Sequence, residues 1–259
     1  MKPIDIEEAH NILLNIAKAF VKICNDNKIP YYMLGGTQLG AIRHKGFIPW
    51  DDDMDFGVPR PYYQKLITHL EKELPYPYRC CTYKNGLNNC IIMKIDDERT
   101  LIHDICVLDK SEQNKGINID IFPLDYVAPN SFKLRIIRFL LQLNTTIYTA
   151  NTHGSRWKNF LKHIVSSIFP ISRNRILMKV ERILENVKKG DTIANVFGVY
   201  KNKECVPEKW FGEGTMYIFE DTEFCGPKAY DKYLTQLYGD YMTPPKGDKH
   251  VHMTNVYWK

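Results

Sequence analysis

Apolar residues recur at three- and four-residue intervals from Ile6 through Ala9, Ile12, Leu13, Ile16, Ala17, Phe20 and Val21 to Cys24, which places them on one face of a helix. After the polar stretch NDNKIP comes YYMLGG, an aromatic and apolar run closed by two glycines, which predicts a strand entering a tight turn. TQLGAIRH then reads as a short helix, GFIPW as a loop, and DMDFGV as a second strand of alternating character. KGINIDIFPLD repeats that alternation further along. The windows 60–75, 131–148, 158–169, 173–189 and 227–238 carry helical patterns, so helices and strands mix along the whole chain. The expected class is α/β of the α+β kind, a mixed sheet flanked by helices.

With 259 residues and 44% hydrophobic content, the chain is long enough to bury one large domain, or a domain carrying an insertion. MKPIDIEEAH has no basic segment followed by an apolar stretch, and no apolar run approaches the length that spans a bilayer, so the expected location is the cytoplasm. The cysteines number seven, an odd count, and only Cys80 and Cys81 lie close together. That fits reduced thiols better than a disulfide framework or a paired zinc site.

Charge changes the picture in one region. Residues 131–189 hold 12 Lys or Arg against 2 Asp or Glu, an excess of +10 within a chain whose net charge is +5. FKLRIIRFLLQL and RNRILMKVERIL combine helical apolar spacing with Lys133, Arg135, Arg138, Arg173, Arg175, Lys179 and Arg182. Such helices suit an anionic membrane, the inner face of the cell membrane included, or a phosphate-rich acceptor; a solvated face packed on the main domain is the plainer alternative. No nucleic-acid-binding motif accompanies the basic residues, so nucleic acid is not an expected partner.

The chemistry gathers around Trp50. In a strand, alternate side chains share a face, so Asp53 and Asp55 are expected to project together while Met54, Phe56 and Val58 enter the core. Paired carboxylates repel unless compensated, and hard oxygen ligands at this spacing suit Mg²⁺ or Mn²⁺; an exposed acidic turn is the alternative. In INIDIF, Ile117, Ile119 and Ile121 face one way and Asn118 and Asp120 the other, so Asp120 offers a third carboxylate from a neighbouring strand. Gly35, Gly36 and Thr37 join a strand to a short helix, leaving N–H groups and a hydroxyl to meet a phosphate, unless the glycines simply form a structural turn.

LGGTQLGAIRHKGFIPWDDDMDFGV resembles the LicD family, whose members include fukutin-related proteins, and IDIFPLD and PKAYDKYLTQLYGDYMTPP are similar to further family segments. The resemblance implies a nucleotidyltransferase-like fold divided into a catalytic core over 1–130, a basic helical insertion over 131–200 and a C-terminal segment over 201–259 that completes the core. It implies metal-dependent transfer of phosphocholine or a related phospho-alcohol from a CDP-linked donor, CDP-choline first, to a hydroxyl of a glycan or lipid-linked glycan such as lipopolysaccharide, teichoic acid or capsule.

Carried onto this chain, the family pattern makes Asp53, Asp55 and Asp120 the catalytic acids, with Asp51 beside them among the ligands for Mg²⁺ or Mn²⁺. Asp120 would ligate metal or take the acceptor's proton. Gly36, Thr37, Arg43, His44, Lys94 and His252 are candidates for contacting substrate, with Lys249, His250 and Arg99 as weaker ones. Lys94 and Arg99 also read as a charged strand edge, and Arg43 as a partner of nearby acids. Tyr238, Gly239 and Tyr241 read as the architectural close of a helix. A glycosyltransferase using a DxD pair and a nucleotide-sugar, or a true nucleotidyltransferase, would use the same carboxylates and remains the alternative. Choline would call for aromatic rings, and the 12% aromatic content does not choose among them.

Overall fold

The computed structural model describes residues 1–102, 115–148, 172–244 and 255–259. Helix α1 (Ile6–Asp26) opens the chain, and the carboxylate of Asp5 caps it by accepting the Glu8 N–H at 2.9 Å. The short strand β1 (Tyr32–Met33) leads directly into α2 (Gly35–Arg43). Strand β2 (Asp55–Pro59) runs without a break into α3 (Arg60–Glu73), whose start is set by the fixed backbone of Pro59 and Pro61. Then follow β3 (Tyr78–Cys81), β4 (Met93–Asp97), β5 (Thr100–Ile102) and β6 (Asn118–Asp125).

Helices α4 (Phe132–Tyr148) and α5 (Arg173–Glu185) form the basic stretch, and β7 (Thr192–Asn195) and β8 (Cys205–Pro207) return the chain to the sheet. The hairpin β9 (Thr215–Phe219) and β10 (Thr222–Gly226), helix α6 (Tyr230–Tyr238) and β11 (Val256–Trp258) complete the order. The windows predicted as helical at 60–75, 131–148, 173–189 and 227–238 correspond to α3, α4, α5 and α6, whereas 158–169 lies outside the described residues.

The central sheet runs β1-β2-β6-β4-β3, with β7 on the second half of β6 and β8 on β7. Among the described residues, only β2 and β6 pair in parallel, in the register Asp55↔Asp120 to Pro59↔Leu124. Strand β6 is the axis because its first half pairs with β4 and its end with β7. β7 falls inside the 131–200 stretch, so that stretch contributes to the sheet as well as two helices. One sheet face carries Phe56, Val58, Met93, Ile95, Ile119 and Ile121 under α1 and α3. The other carries Phe122, Leu124 and Ile193 under Leu234 and Leu237 of α6. Strand alternation therefore sends Asp55 and Asp120 to the α6 face.

Two contacts tie the axis together. The buried Tyr63 hydroxyl, on α3, donates to the Ile121 carbonyl at 2.7 Å and accepts the Met93 N–H at 2.9 Å, so one phenol bridges β6 and β4. At the far end of the parallel pair, Arg60 Nε and Nη2 reach Asp125 Oδ1 and Oδ2 at 2.6 and 2.9 Å, with both side chains buried. Removing one partner from such a pair leaves an uncompensated charge in the core. Asp125→Ala is expected to lower unfolding stability by about 3–5 kcal/mol in urea titrations, while the apolar double replacement Arg60→Met with Asp125→Leu recovers most of it. Equal losses in both proteins would show that the pair does not clamp the strands.

Candidate active site

The site forms where β2 and β6 begin. Asp55 is the first residue of β2 and its register partner is Asp120, which in turn faces Lys94 across β6 and β4. A carboxylate, a second carboxylate and an ammonium thus stand in a row on three adjacent strands. Lys94 Nζ donates to Asp120 Oδ1 at 2.5 Å and to Asn118 Oδ1 at 3.0 Å. Lys94, expected near substrate, is therefore first of all the counter-charge of Asp120.

Helix α2 frames the other side. The Thr37 hydroxyl accepts the Asp55 N–H at 2.8 Å, and the Leu34 N–H donates to the Asp55 carbonyl at 2.9 Å, so the end of β1 and the first turn of α2 grip Asp55 by its backbone. Gly35 adopts φ +48°, a left-handed conformation that suits glycine, and its N–H donates to the Tyr233 hydroxyl at 3.1 Å. A Cβ on Gly36 would stand 2.7 Å from Asp51 Oδ2, so any larger residue there would displace that carboxylate. Among the described residues, the N–H groups of Gly36 and Thr37 have no acceptor, as expected for the open N-terminus of a helix.

The sequence predicted Asp53 and Asp55 on one strand face. The strand instead begins at Asp55, and Asp53 stands in the irregular approach, exposed, because the chain leaves the loop after Trp50 before it meets β6. It still belongs to the cluster electrostatically. Burial, followed by the charges of Asp53, Asp120 and Asp51, pushes the Asp55 carboxyl well above the usual carboxylate range, and Lys94 opposes the shift. Burial and the neighbouring Asp53 push Asp51 up to about 7. One lysine is thus set among the four carboxylates of Asp51, Asp53, Asp55 and Asp120.

An excess of hard oxygen donors is the chemistry that fits Mg²⁺ or Mn²⁺. As the side chains stand, no three His, Cys, Asp or Glu groups among the described residues converge into a preformed metal cage. The donor set fits the ion, and the cage would have to be closed by small rotations of Asp51, Asp53 and Asp55.

The other expected contacts have partners of their own where these lie among the described residues. Arg43 Nη1 donates to the Tyr241 carbonyl at 2.9 Å, anchoring the chain after α6, and His44 turns edge-on to Trp50 at 6.3 Å. Arg99 pairs with Asp97 and lies over the Trp258 ring. Lys249, His250 and His252 fall outside the described residues.

Three contributors gave no local signal. His10 Nε2 donates to the Asp51 carbonyl at 2.6 Å while its ring stacks on Phe47 at 4.1 Å, so α1 braces the acidic loop from behind. Tyr233 and Tyr238 come from α6, where their spacing reads as ordinary helix packing. A Cβ on Gly35 would meet Tyr238 Oη and Asp55 Oδ2, each at 3.5 Å, so Tyr238 borders the acids rather than only ending a helix.

Residues 28–180 match the family model described as LicD/FKTN/FKRP, nucleotidyltransferase domain, and this span includes α2, the acidic loop, β2 and β6. The chain is 32% identical over 265 residues to the lipopolysaccharide cholinephosphotransferase LicD of Haemophilus influenzae, covering 97% of each chain. It also resembles uncharacterised proteins of Rickettsia prowazekii, at 27% identity over 43% of this chain and 44% of the relative, and of Rickettsia typhi, at 33% over 46% and 36%. With one match across most of the domain and another across nearly the whole length, this chain belongs to the LicD family.

Proposed function

We propose that this phosphotransferase moves phosphocholine from CDP-choline to a hydroxyl of a lipopolysaccharide-type glycan, with Mg²⁺ or Mn²⁺ held by Asp51, Asp53, Asp55 and Asp120. The observation that carries the reading is the Asp55↔Asp120 register beside the open N-terminus of α2. That pairing sets acids that attract a divalent ion next to unsatisfied N–H groups that suit a diphosphate. The Haemophilus influenzae relative, similar from end to end, supports the headgroup and the acceptor class.

In this reading the diphosphate lies across the N–H groups of Gly36 and Thr37, and the acceptor hydroxyl approaches from the side of Asp120. The acceptor oxygen bonds to the phosphorus that carries choline, the bond from that phosphorus to the CMP oxygen breaks, and a carboxylate takes the hydroxyl proton. Lys94 holds Asp120 in place through its ion pair, and His10 and Thr37 hold the backbones of Asp51 and Asp55. A bound divalent ion supplies neutralising charge on the diphosphate and on departing CMP.

The helical part of 131–200 serves, in the same proposal, as an addition that brings the enzyme to a lipid-linked acceptor. Helices α4 and α5 bury Leu134, Ile137, Leu177, Val180 and Leu184 against each other and the sheet edge. They leave Phe132 at 76% and Phe139 at 67% exposure, and Lys133, Arg135, Lys179 and Arg182 of the same two helices are exposed as well. Two aromatic side chains among cations suit the headgroup layer of an anionic membrane. No helix among the described residues is long and apolar enough to cross one.

The purified protein is expected to release CMP from CDP-choline in the presence of Mg²⁺ or Mn²⁺ and a lipopolysaccharide acceptor, and to stop in EDTA. UDP release from a sugar donor, or pyrophosphate from CTP, would replace this reading with one of its alternatives. Asp55→Asn is expected to abolish turnover yet raise the melting temperature of the metal-free protein at pH 7. A carboxyl whose folded pKa lies above its unfolded value costs stability as pH rises between the two, and the amide removes that cost. A destabilised Asp55→Asn protein would contradict this account. Co-sedimentation with phosphatidylglycerol vesicles is expected to exceed that with phosphatidylcholine vesicles, and Phe132→Ser with Phe139→Ser should abolish it; equal binding to both lipids would remove the membrane assignment.

A further inference from the structure

The loop after β7 brings a second tyrosine to the one that borders the acids. Tyr200 meets Tyr238 edge-on, with ring centroids 5.3 Å apart and planes at 83°. Tyr233, on the same helix as Tyr238, is buried and its hydroxyl is occupied by the Gly35 N–H. Tyr200, by contrast, keeps 40% of its surface open. The pair therefore forms a corner of two ring faces at nearly a right angle, with one wall at Gly35 and Asp55 and the other toward solvent.

The corner is held from behind. Glu204 Oε1 accepts the Tyr200 N–H at 2.9 Å, and the carboxyl lies against the backbone of Gly198, where a Cβ would collide with it. Glu204 is itself buried, and among the described residues no Lys, Arg or His side chain pairs with it. Arg43 sits within electrostatic reach of Tyr238. Lys203, whose N–H donates to the Tyr200 carbonyl at 3.1 Å, spends its ammonium on the Leu237 carbonyl at 3.2 Å, so that cation is tied to the backbone of α6.

Aromatic faces attract a cation through the ring quadrupole, and they do so best for one that donates no hydrogen bonds and gives up its water readily. A trimethylammonium group meets that description, whereas a primary ammonium needs acceptors that two ring faces do not supply. The Tyr238 hydroxyl borders Gly35 and lies within reach of the Tyr200 side chain, so the corner stands next to the first turn of α2, where a short linker from phosphate to nitrogen can enter it. We propose that Tyr200 and Tyr238 form the headgroup subsite, which receives the quaternary ammonium of the donor and selects choline over ethanolamine. The proposal rests on the functional reading above and adds the residues that read the headgroup.

The test compares wild type, Tyr200→Phe and Tyr200→Leu in CMP release from CDP-choline and CDP-ethanolamine, with CMP as a competing inhibitor, and by calorimetric titration of phosphocholine. Tyr200→Leu is expected to raise KM for CDP-choline roughly tenfold, with a smaller change for CDP-ethanolamine. Inhibition by CMP should be unaltered, and Tyr200→Phe should stay near wild type because it keeps the ring. An equal rise for both donors, or weakened CMP inhibition, would assign the corner to the nucleotide and overturn the proposal, as would an unchanged KM. Silence of wild type on both donors would defeat the functional reading instead. The titration would then decide the corner alone: phosphocholine bound by wild type and about tenfold more weakly by Tyr200→Leu supports it, and absent or equal binding overturns it.

Discussion

The parallel pairing of β2 with β6 places Asp55 directly beside Asp120, and two carboxylates in register on neighbouring strands repel each other. The strands must be held by interactions elsewhere along the same pair. The apolar residues Phe56, Val58, Ile119 and Ile121 provide part of that hold on the face turned to α1 and α3. Arg60 and Asp125 provide another part at the opposite end, where a buried, two-pronged ion pair joins the start of α3 to the last residue of β6. Like charge at one end and opposite charge at the other give the pair a working end and an anchoring end.

The surrounding elements serve the working end with backbone contacts. Thr37 and Leu34 hold the Asp55 backbone, His10 holds the Asp51 carbonyl, and Tyr233 holds the first turn of α2. Among the described residues, Lys94 pairs with the cluster through Asp120. This arrangement keeps the acids in place without neutralising them, and burial then pushes Asp55 and Asp51 upward. Stability given up at such a cluster becomes affinity for a positively charged ligand.

Around this centre the chain distributes recognition among elements far apart in sequence. α2 carries an open N-terminus, α6 and the loop after β7 bring tyrosine rings, and α4 and α5 leave basic and aromatic side chains exposed. The acids and the first turn of α2 lie within the 28–180 family match, whereas Tyr200, Tyr233 and Tyr238 lie beyond it.

Periodicity alone determined α1, α3, α4, α5 and α6 and the strands β2 and β6, because each carries an apolar face whose spacing is a local property. The alternation in INIDIF likewise determined that Asp120 turns away from the isoleucine core, and the run from Gly35 to Asp55 carried the family resemblance. Which residue stands opposite Asp120 was a matter of register between strands 65 positions apart at their buried ion pair, and no local pattern encodes it. For the same reason the sequence does not show that Lys94 pairs with Asp120, which needs β4 beside β6, or that Arg43 meets the Tyr241 carbonyl, which needs α6 in place. Tyr233 meets Gly35 across 198 positions, and His10 meets Asp51 across 41. A sequence determines how each segment buries its own apolar side, whereas contacts between polar groups on different segments exist only once packing has set the distances, and this site is built almost entirely from contacts of that second kind.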